Sequence, residues 1–486
     1  MHDFLGPDSP LDSPTTAKRQ PRSLNSSIIF SNPAASQFYV DGTSIPDVKF
    51  DAGPSWSGLM PISSDPNETR KLFFWFWPSN NASNTEDLIF WTNGGPGCSS
   101  LEGFLQENGP ISWSWGQSEP TLNPWSWTNL SHVLWVEQPV GTGFTQGTPN
   151  ITNDDELAEQ FAGFLGQFLE VFSELKGKNF YATGESYAGY YVPYIANWIY
   201  EHPGSVDLDL KGVWISDATL TLDVVQGEIP ALRFVQNNRN VFPFNSSFMA
   251  HLQNISDACG YTDYIDKYVK YPPTGPLPLP IGVNQSSTAT SPCSIREQIQ
   301  MEIGVLNPAF NVYRVTQQWP VPWSVTGFPG AQQGTLYFNR TDVQDAIHAP
   351  HTSWDICNFN GSVYANASGP TTDSSPPAML SVLPNVIEKS ARSVILHGVA
   401  DFEILAEGIR AGIQNMTWGG AQGFQKPIEP ESFHVKNMGV YGETHTERNL
   451  TYVEFYFSGH MTPQFVPWAA YQTVAYLLGK QDTPST

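Results

Sequence analysis

The chain has 486 residues, with Lys+Arg 23 against Asp+Glu 46, so it carries a formal net charge of −23 at pH 7 and a pI near 4.7. That acidic balance excludes nucleic acid and anionic membrane surfaces as partners, and no apolar run approaches the ~18–20 residues of a membrane span. Hydrophobic residues at 40% and aromatics at 13% suffice for a large core, and the length fits one large α/β unit as well as several smaller domains.

No apolar signal-peptide core opens the chain; its polar start, containing Lys18-Arg19, reads as a processed or recombinant terminus. Residues 1–24 are expected to be flexible and 25–486 to form one folded unit. Leu88 to Trp91 is a strand-like run that empties into Asn93-Gly94-Gly95-Pro96-Gly97-Cys98-Ser99-Ser100. Glycines there let bare backbone N–H groups approach a ligand, although such a run alone is no more than a tight turn. In Asn153 to Leu175, Leu157, Phe161, Phe164, Phe168 and Phe172 recur at spacings of three and four, which predicts a helix with an apolar face for the core. Next come a strand-like run, Asn179 to Thr183, a turn, Gly184-Glu185-Ser186-Tyr187-Ala188-Gly189, and a helix-like run, Tyr190 to Tyr200.

A serine on a strand-to-helix turn is lifted clear of the sheet, the geometry of a nucleophile elbow. Strict G-x-S-x-G would place glycine at 188, where this chain has Ala188, so the turn alone also fits a capping serine. After a strand ending near Ser216, a long irregular section contains Tyr271-Pro272-Pro273-Thr274-Gly275-Pro276-Leu277-Pro278-Leu279-Pro280, which can form neither helix nor central strand. Roughly 218–345 is expected to be an insertion capping the site. Two late strands then empty into loops with catalytic residue types: Arg392 to Leu396 before Asp401, and Leu450 to Phe457 before His460. A nucleophile followed in chain order by an acid and a histidine, each past a late strand, is the order of the α/β hydrolases. Ser186, Asp401 and His460 are therefore the candidate nucleophile, orienting acid and general base, with Gly95 and Tyr187 the candidate oxyanion N–H donors. His397 is the rival base, but it precedes its turn. Alternation of strand-like and helix-like runs predicts an α/β fold with a mixed, mostly parallel central sheet covered by helices.

The segments from Asn93 to Ser100, Gly184 to Gly189 and Gly459-His460-Met461 resemble the signatures of the secreted and vacuolar serine carboxypeptidases. The likeness runs from about Ser55-Trp56-Ser57-Gly58 to the C-terminal helix. It takes in Glu137-Gln138-Pro139-Val140-Gly141-Thr142-Gly143-Phe144, Asn311-Val312-Tyr313, Asp342-Val343-Gln344 and Cys357-Asn358. The resemblance implies an exopeptidase without cofactor or metal that removes C-terminal residues from peptides and proteins with a free C-terminus. It also implies that Asn93, Glu107 and Glu185 bind the substrate carboxylate. Two carboxyls forced together cannot both ionise easily, so one keeps a proton to donate, and substrate binding should be best in acid. Catalysis in acid then requires a His460 pKa well below the ordinary value of ~6.5.

Cysteines 98, 259, 293 and 357 permit three pairings or free thiols; the resemblance selects Cys98–Cys357 and Cys259–Cys293. Sequons at Asn25, Asn67, Asn81, Asn129, Asn150, Asn245, Asn254, Asn284, Asn339, Asn360, Asn366, Asn415 and Asn449 favour a secreted or vacuolar glycoprotein. Family members that prefer basic C-terminal residues often carry an acid where this chain has Glu102, which makes Glu102, Gln106 and Met461 candidate specificity positions; complementing a helix N-terminus is the alternative role for Glu102. The chain departs from the family at Val399, where many members carry a second acid, and at Ser216-Asp217-Ala218-Thr219, in place of Asn-Gly-Trp. Two other functions fit the same scaffold: an acyltransferase or esterase, and a catalytically silent glycoprotein that binds peptides or glycans.

Overall fold

The computed structural model describes residues 28–280, 292–317, 324–327, 335–358, 363–365, 373–428 and 432–486. An 11-stranded sheet runs through it. In chain order its strands are β1 (Tyr39–Val40), β2 (Ser55–Pro61), β3 (Lys71–Trp77), β4 (Asp87–Thr92), β5 (His132–Glu137), β6 (Asn179–Glu185), β7 (Asp209–Ser216), β8 (Arg392–Gly398), β9 (Ser432–Val435), β10 (Gly439–Glu447) and β11 (Leu450–Phe455). Across the sheet they lie in the order β1-β2-β3-β5-β4-β6-β7-β8-β11-β10-β9. The ladders from β5 to β11 through β4, β6, β7 and β8 are all parallel, and those outside them antiparallel. This is the mixed, mostly parallel α/β-hydrolase sheet that the sequence predicts.

The central strands read as unbroken apolar runs because both faces are covered. Side chains alternate across a strand, and β3 shows it: Leu72, Phe74 and Phe76 enter one core while Phe73, Trp75 and Trp77 enter the other. Leu88 and Phe90 of β4 likewise oppose Ile89 and Trp91. Helix α1 (Asp154–Val171) lays Leu157, Phe161, Phe164 and Phe168 on the first face, with Phe168 edge-on to Phe74 at 5.2 Å. Each such ring contributes roughly 1.5–3 kcal/mol on burial. Asn153 caps the helix by accepting from the Glu156 N–H. At the other end Phe172 leaves helical geometry (φ −107°, ψ 58°), so the predicted stretch to Leu175 finishes as a 3₁₀ turn, Ser173–Leu175. Helix α2 (Ala188–Glu201) packs on the same face, and a C-terminal helix, Pro467–Leu477, covers the opposite one.

Between Ser216 and Arg392 the chain leaves the sheet. Helices Ile229–Asn237, Ser246–Cys259 and Ile295–Leu306 bury Leu232, Leu252, Ile299 and Ile303 in a third core that also takes in Phe402 and Leu405 from the loop after β8. Tyr271 to Pro280 has neither helix nor strand, as its prolines dictate. Disulfides join Cys98 to Cys357 and Cys259 to Cys293, the pairing the resemblance implies. Among the described residues no helix is long and apolar enough to cross a membrane. Residues 1–24 lie outside the described residues.

Candidate active site

In a parallel sheet, ligands bind beyond the carboxyl ends of the strands, where the strand order reverses. Here that point is β5-β4-β6, and the candidate residues follow the ends of β4, β6, β8 and β11. Ser186 comes directly after β6 with φ 63°, a left-handed backbone that is strained for a residue with a side chain. The turn is clamped from below: the Ser186 N–H donates to Ser216 O at 3.0 Å, and the Ser186 carbonyl accepts from the N–H groups of Gly189 and Thr219, each at 3.0 Å. Ala188 is accommodated because residue 184 has no side chain; a Cβ on Gly184 would come within 2.6 Å of the Ala188 Cβ.

Asp401 and His460 meet. His460 Nδ1 lies 2.7 Å from Asp401 Oδ2, and Asp401 Oδ1 accepts from the N–H groups of Glu403 at 2.8 Å and Ile404 at 3.3 Å. The loop carrying the histidine is held by its own N–H, which donates to Tyr313 O at 2.7 Å, and the Tyr313 ring stands edge-on to the imidazole at 5.2 Å. Nδ1 is thereby committed to Asp401, which leaves Nε2 as the ring nitrogen available to exchange a proton. Ser186 is half-buried, and no hydrogen bond to His460 is formed among the described residues; such links commonly tighten only when substrate is bound.

The electrostatics correct one expectation. Burial pushes the His460 pKa down, but Asp401, reinforced by Asp217 and Glu403, pushes harder the other way and raises it to about 9. The imidazole is thus not held below its ordinary range. His397, the rival base, is wholly buried and lies 2.8 Å through Nε2 from Ile404 O, which keeps it from solvent and substrate.

The glycine loop after β4 lies against the elbow. A Cβ on Gly94 would stand 2.2 Å from the Tyr187 nitrogen, so only glycine leaves that N–H open. Gly95 has φ 111°, and neither its N–H nor that of Tyr187 is taken by another backbone carbonyl among the described residues. The Cys98–Cys357 bridge fastens the loop to a distant segment, seconded by Ser99 N–H to Ile356 O at 2.7 Å and Asn358 N–H to Gly97 O at 2.9 Å.

Beside the loop sits a buried acidic cluster. Asn93 Nδ2 donates to Glu185 Oε1 at 3.0 Å and reaches Glu107 Oε1 at 3.5 Å, while Asn93 Oδ1 accepts from Trp91 Nε1 at 2.8 Å and the Gly103 N–H at 3.3 Å. Asn93 is thus locked with its amide toward the acids. Glu107 Oε2, Glu185 Oε2 and Glu102 Oε1 are buried and receive no N–H or O–H donor from other groups, and the Glu107 and Glu185 carboxyls lie close enough to share a proton. Burial raises Glu107 to about 7 against the pull of Glu185 and Asn93. Glu185 goes well above its ordinary value, through burial and then the Glu107 charge. Glu102 reaches about 8 by burial and the same neighbour; it stands in the first turn of the short helix Ser100–Gly103 with its side chain buried beside this cluster.

Gln106 donates through Nε2 to Thr326 Oγ1 at 2.6 Å and leaves Oε1 unpaired, and Met461 is buried next to His460. A cleft of about 830 Å³ opens beside the elbow between Tyr190, Thr219, Leu222, Leu277, Leu279 and Asp373. Of the sequons, Asn67, Asn81, Asn150, Asn245, Asn254 and Asn449 are exposed; Asn129, Asn339 and Asn415 are half-buried; Asn25, Asn284, Asn360 and Asn366 lie outside the described residues. Asp217, His397 and Asp401 bring ligand atoms within 4.8 Å of one another, yet both carboxylates already accept from N–H or O–H donors. The sequence marks Asp217 only as a departure and does not reveal its contacts; an acid following a central strand in step with the loops that carry Asp401 and His460 was the available signal.

A model of the serine carboxypeptidase family matches residues 46–480. The chain is 43% identical to a probable serine carboxypeptidase of Arthroderma benhamiae over 93% of its own length and 88% of the relative's. It is 40% identical to the serine-type carboxypeptidase F of Aspergillus niger, over 90% and 86%. The crystal structure of Kex1Δp, a prohormone-processing carboxypeptidase from Saccharomyces cerevisiae, shares the fold with a TM-score of 0.71 at 23% identity, covering 92% of this chain and 97% of that one. Placed beside an elbow serine, an acid–imidazole pair and a buried carboxyl cluster at the strand ends, these likenesses establish that the chain belongs to the serine carboxypeptidase family.

Proposed function

We propose that Ser186, His460 and Asp401 remove C-terminal residues from peptides through an acyl-enzyme, and that Asn93, Glu107 and Glu185 hold the substrate's terminal carboxylate. Ser186 Oγ attacks the last peptide carbonyl as His460 Nε2 takes its proton, with Asp401 steadying the imidazolium through Nδ1. The N–H groups of Gly95 and Tyr187 receive the developing oxyanion. His460 then returns the proton to the departing amino acid, and water releases the acyl group by the reverse proton path.

The observation that carries this reading is the buried cluster: two carboxyls with unpaired oxygens next to an oriented amide, beside the nucleophile. Ionised acids there would repel a carboxylate; protonated ones donate to it. Glu107 gives up its proton only around 7, so substrate affinity is best in acid. His460 must lose its proton to act as base, and its surroundings hold it protonated to about 9, so kcat climbs as pH rises. The two limbs oppose each other, and the profile of kcat/KM is a narrow product of both.

Glu102, with Gln106 and Met461 nearby, is suited to shape the pocket for the leaving side chain, and a basic side chain is favoured where Glu102 is ionised, toward and above about 8. The helices between 218 and 345 act as a cap over the cleft. Two disulfides and exposed sequons favour a secreted or vacuolar compartment. The test is mass spectrometry of one peptide presented with a free and with an amidated C-terminus. Stepwise shortening of the free form alone is expected; equal attack on both would reject carboxylate recognition and favour an esterase-like site.

A further inference from the structure

Asp217 follows the end of β7 with φ 47° and is wholly buried. Its Oδ1 accepts from the Gly398 N–H at 2.7 Å, three residues before Asp401. Its Oδ2 accepts from Thr462 Oγ1, two residues after His460, and from Ser216 Oγ, each at 2.6 Å. Its own N–H donates to Leu396 O in β8 at 2.9 Å, and the clamp on the elbow comes from Ser216 just before it, whose carbonyl accepts from the Ser186 N–H, and from Thr219 two residues after it, whose N–H donates to Ser186 O. One side chain thus fastens the strand end that carries the elbow clamp to the loops that present acid and base. Between Asp217 and Asp401 lies the buried His397 ring, its Nε2 3.7 Å from an oxygen of each.

We propose that Asp217 is a positioning residue for the reaction: its hydrogen bonds keep the acid and base loops in register with the elbow, and its buried charge sets the pH range over which the site works. This rests on the assignment of Ser186, His460 and Asp401 above. A carboxylate enclosed this way is not needed for packing alone, since Gly398 and Thr462 could be satisfied by any neutral acceptor. What a neutral acceptor lacks is the field. The groups that face His460 are Asp401 and Glu403 from the loop after β8, Asp217 from β7, Tyr313 from the segment before residue 317, and the acids Glu102, Glu107 and Glu185 of the cluster, with His397 behind Asp401. Asp217 contributes to the upward pull on His460 and, from behind, on Glu107 and Glu185. Its own carboxyl is raised by burial, with His397 pulling the other way. One charge therefore moves the base and the carboxylate grip in the same direction, and the two limbs of the pH profile travel together.

The test is Asp217→Asn, which keeps size and one acceptor and removes the charge. kcat and KM for one peptide would be followed from pH 4 to 9 in the variant and the wild type, with Ser186→Ala as control and melting temperature recorded. The kcat limb and the KM limb should both shift toward acid by about one pH unit; with His460 held at about 9 in the wild type, the ratio of variant to wild-type kcat should be about fivefold larger at pH 7 than at pH 9. A loss of kcat by one factor at every pH, with both limbs in place, would reduce Asp217 to scaffolding and overturn the proposal. Full activity in Ser186→Ala would instead sink the nucleophile assignment, a separate failure. If Asp217→Asn does not fold, Thr462→Val carries the test: it removes one hydrogen bond and leaves the charge, so kcat should fall about tenfold with unmoved limbs and KM within twofold. Unchanged kcat there would also overturn it.

Discussion

Replacing Glu107 with Gln separates a titrating grip from a permanent one. Glu107 is held at about 7, so roughly 99% of it is protonated at pH 5 and about 10% at pH 8. If the protonated acid is what binds the substrate carboxylate, wild-type KM should rise about tenfold between those values. Gln offers an N–H donor that never titrates and brings no charge, so its KM should be nearly flat. At pH 5 the change weakens one hydrogen bond to a charged group by about 1 kcal/mol, a KM increase of about fivefold. At pH 8 Glu107 no longer donates and carries a repelling charge, and the ratio of variant to wild-type KM should fall to about one or below. The assay is initial-rate release of the C-terminal residue at constant ionic strength, with a peptide whose chemistry is slow enough for KM to report binding. A ratio that stays constant from pH 5 to 8 would refute the shared-proton account.

Gly94→Ala should lower kcat about 10²–10³-fold, with KM within a few-fold, because the new Cβ would press on the Tyr187 nitrogen at 2.2 Å; near-normal turnover would remove Tyr187 from the oxyanion site. Converting Cys259 and Cys293 to Ser opens a loop of sequence separation 34 and should cost about 4 kcal/mol of stability while leaving kcat intact at 25 °C, as read from denaturant midpoint and activity; an unmoved midpoint contradicts it. Glycopeptide mapping should find Asn339 bare, since its side chain is closed by Nδ2 to Trp354 O at 2.7 Å and the Trp354 N–H to Oδ1 at 2.6 Å. A glycan there would refute that closure.

Much of this architecture was legible because it depends on local pattern. Strand runs with both faces apolar, followed by glycine, serine, acid or histidine turns, place β4, β6, β8 and β11 within two residues of their ends, and chain order alone picks out the candidate nucleophile, acid and base. The α1 phenylalanines announce their helix through spacing, though where Phe172 breaks it is decided by packing on Phe74 and Phe76. Electrostatics were less readable. The sum of burial and four or more charges at His460 changes sign with their distances, and those distances join residues from β7, β8 and β11. Asp217 illustrates the limit: in sequence it is an acid after a strand, and only the parallel pairing of β7 with β8, and of β8 with β11, brings Gly398 and Thr462 onto its two oxygens. His397 is the converse, a residue that reads as a rival base until its burial is known.

The central claim is that the Ser186 hydroxyl carries the acyl group. Reaction with an organofluorophosphate, followed by peptide mapping, tests it most directly: one label per chain on Ser186, appearing in step with loss of carboxypeptidase activity, is the predicted result. Label on another residue, or peptide shortening that persists in Ser186→Ala, would contradict it.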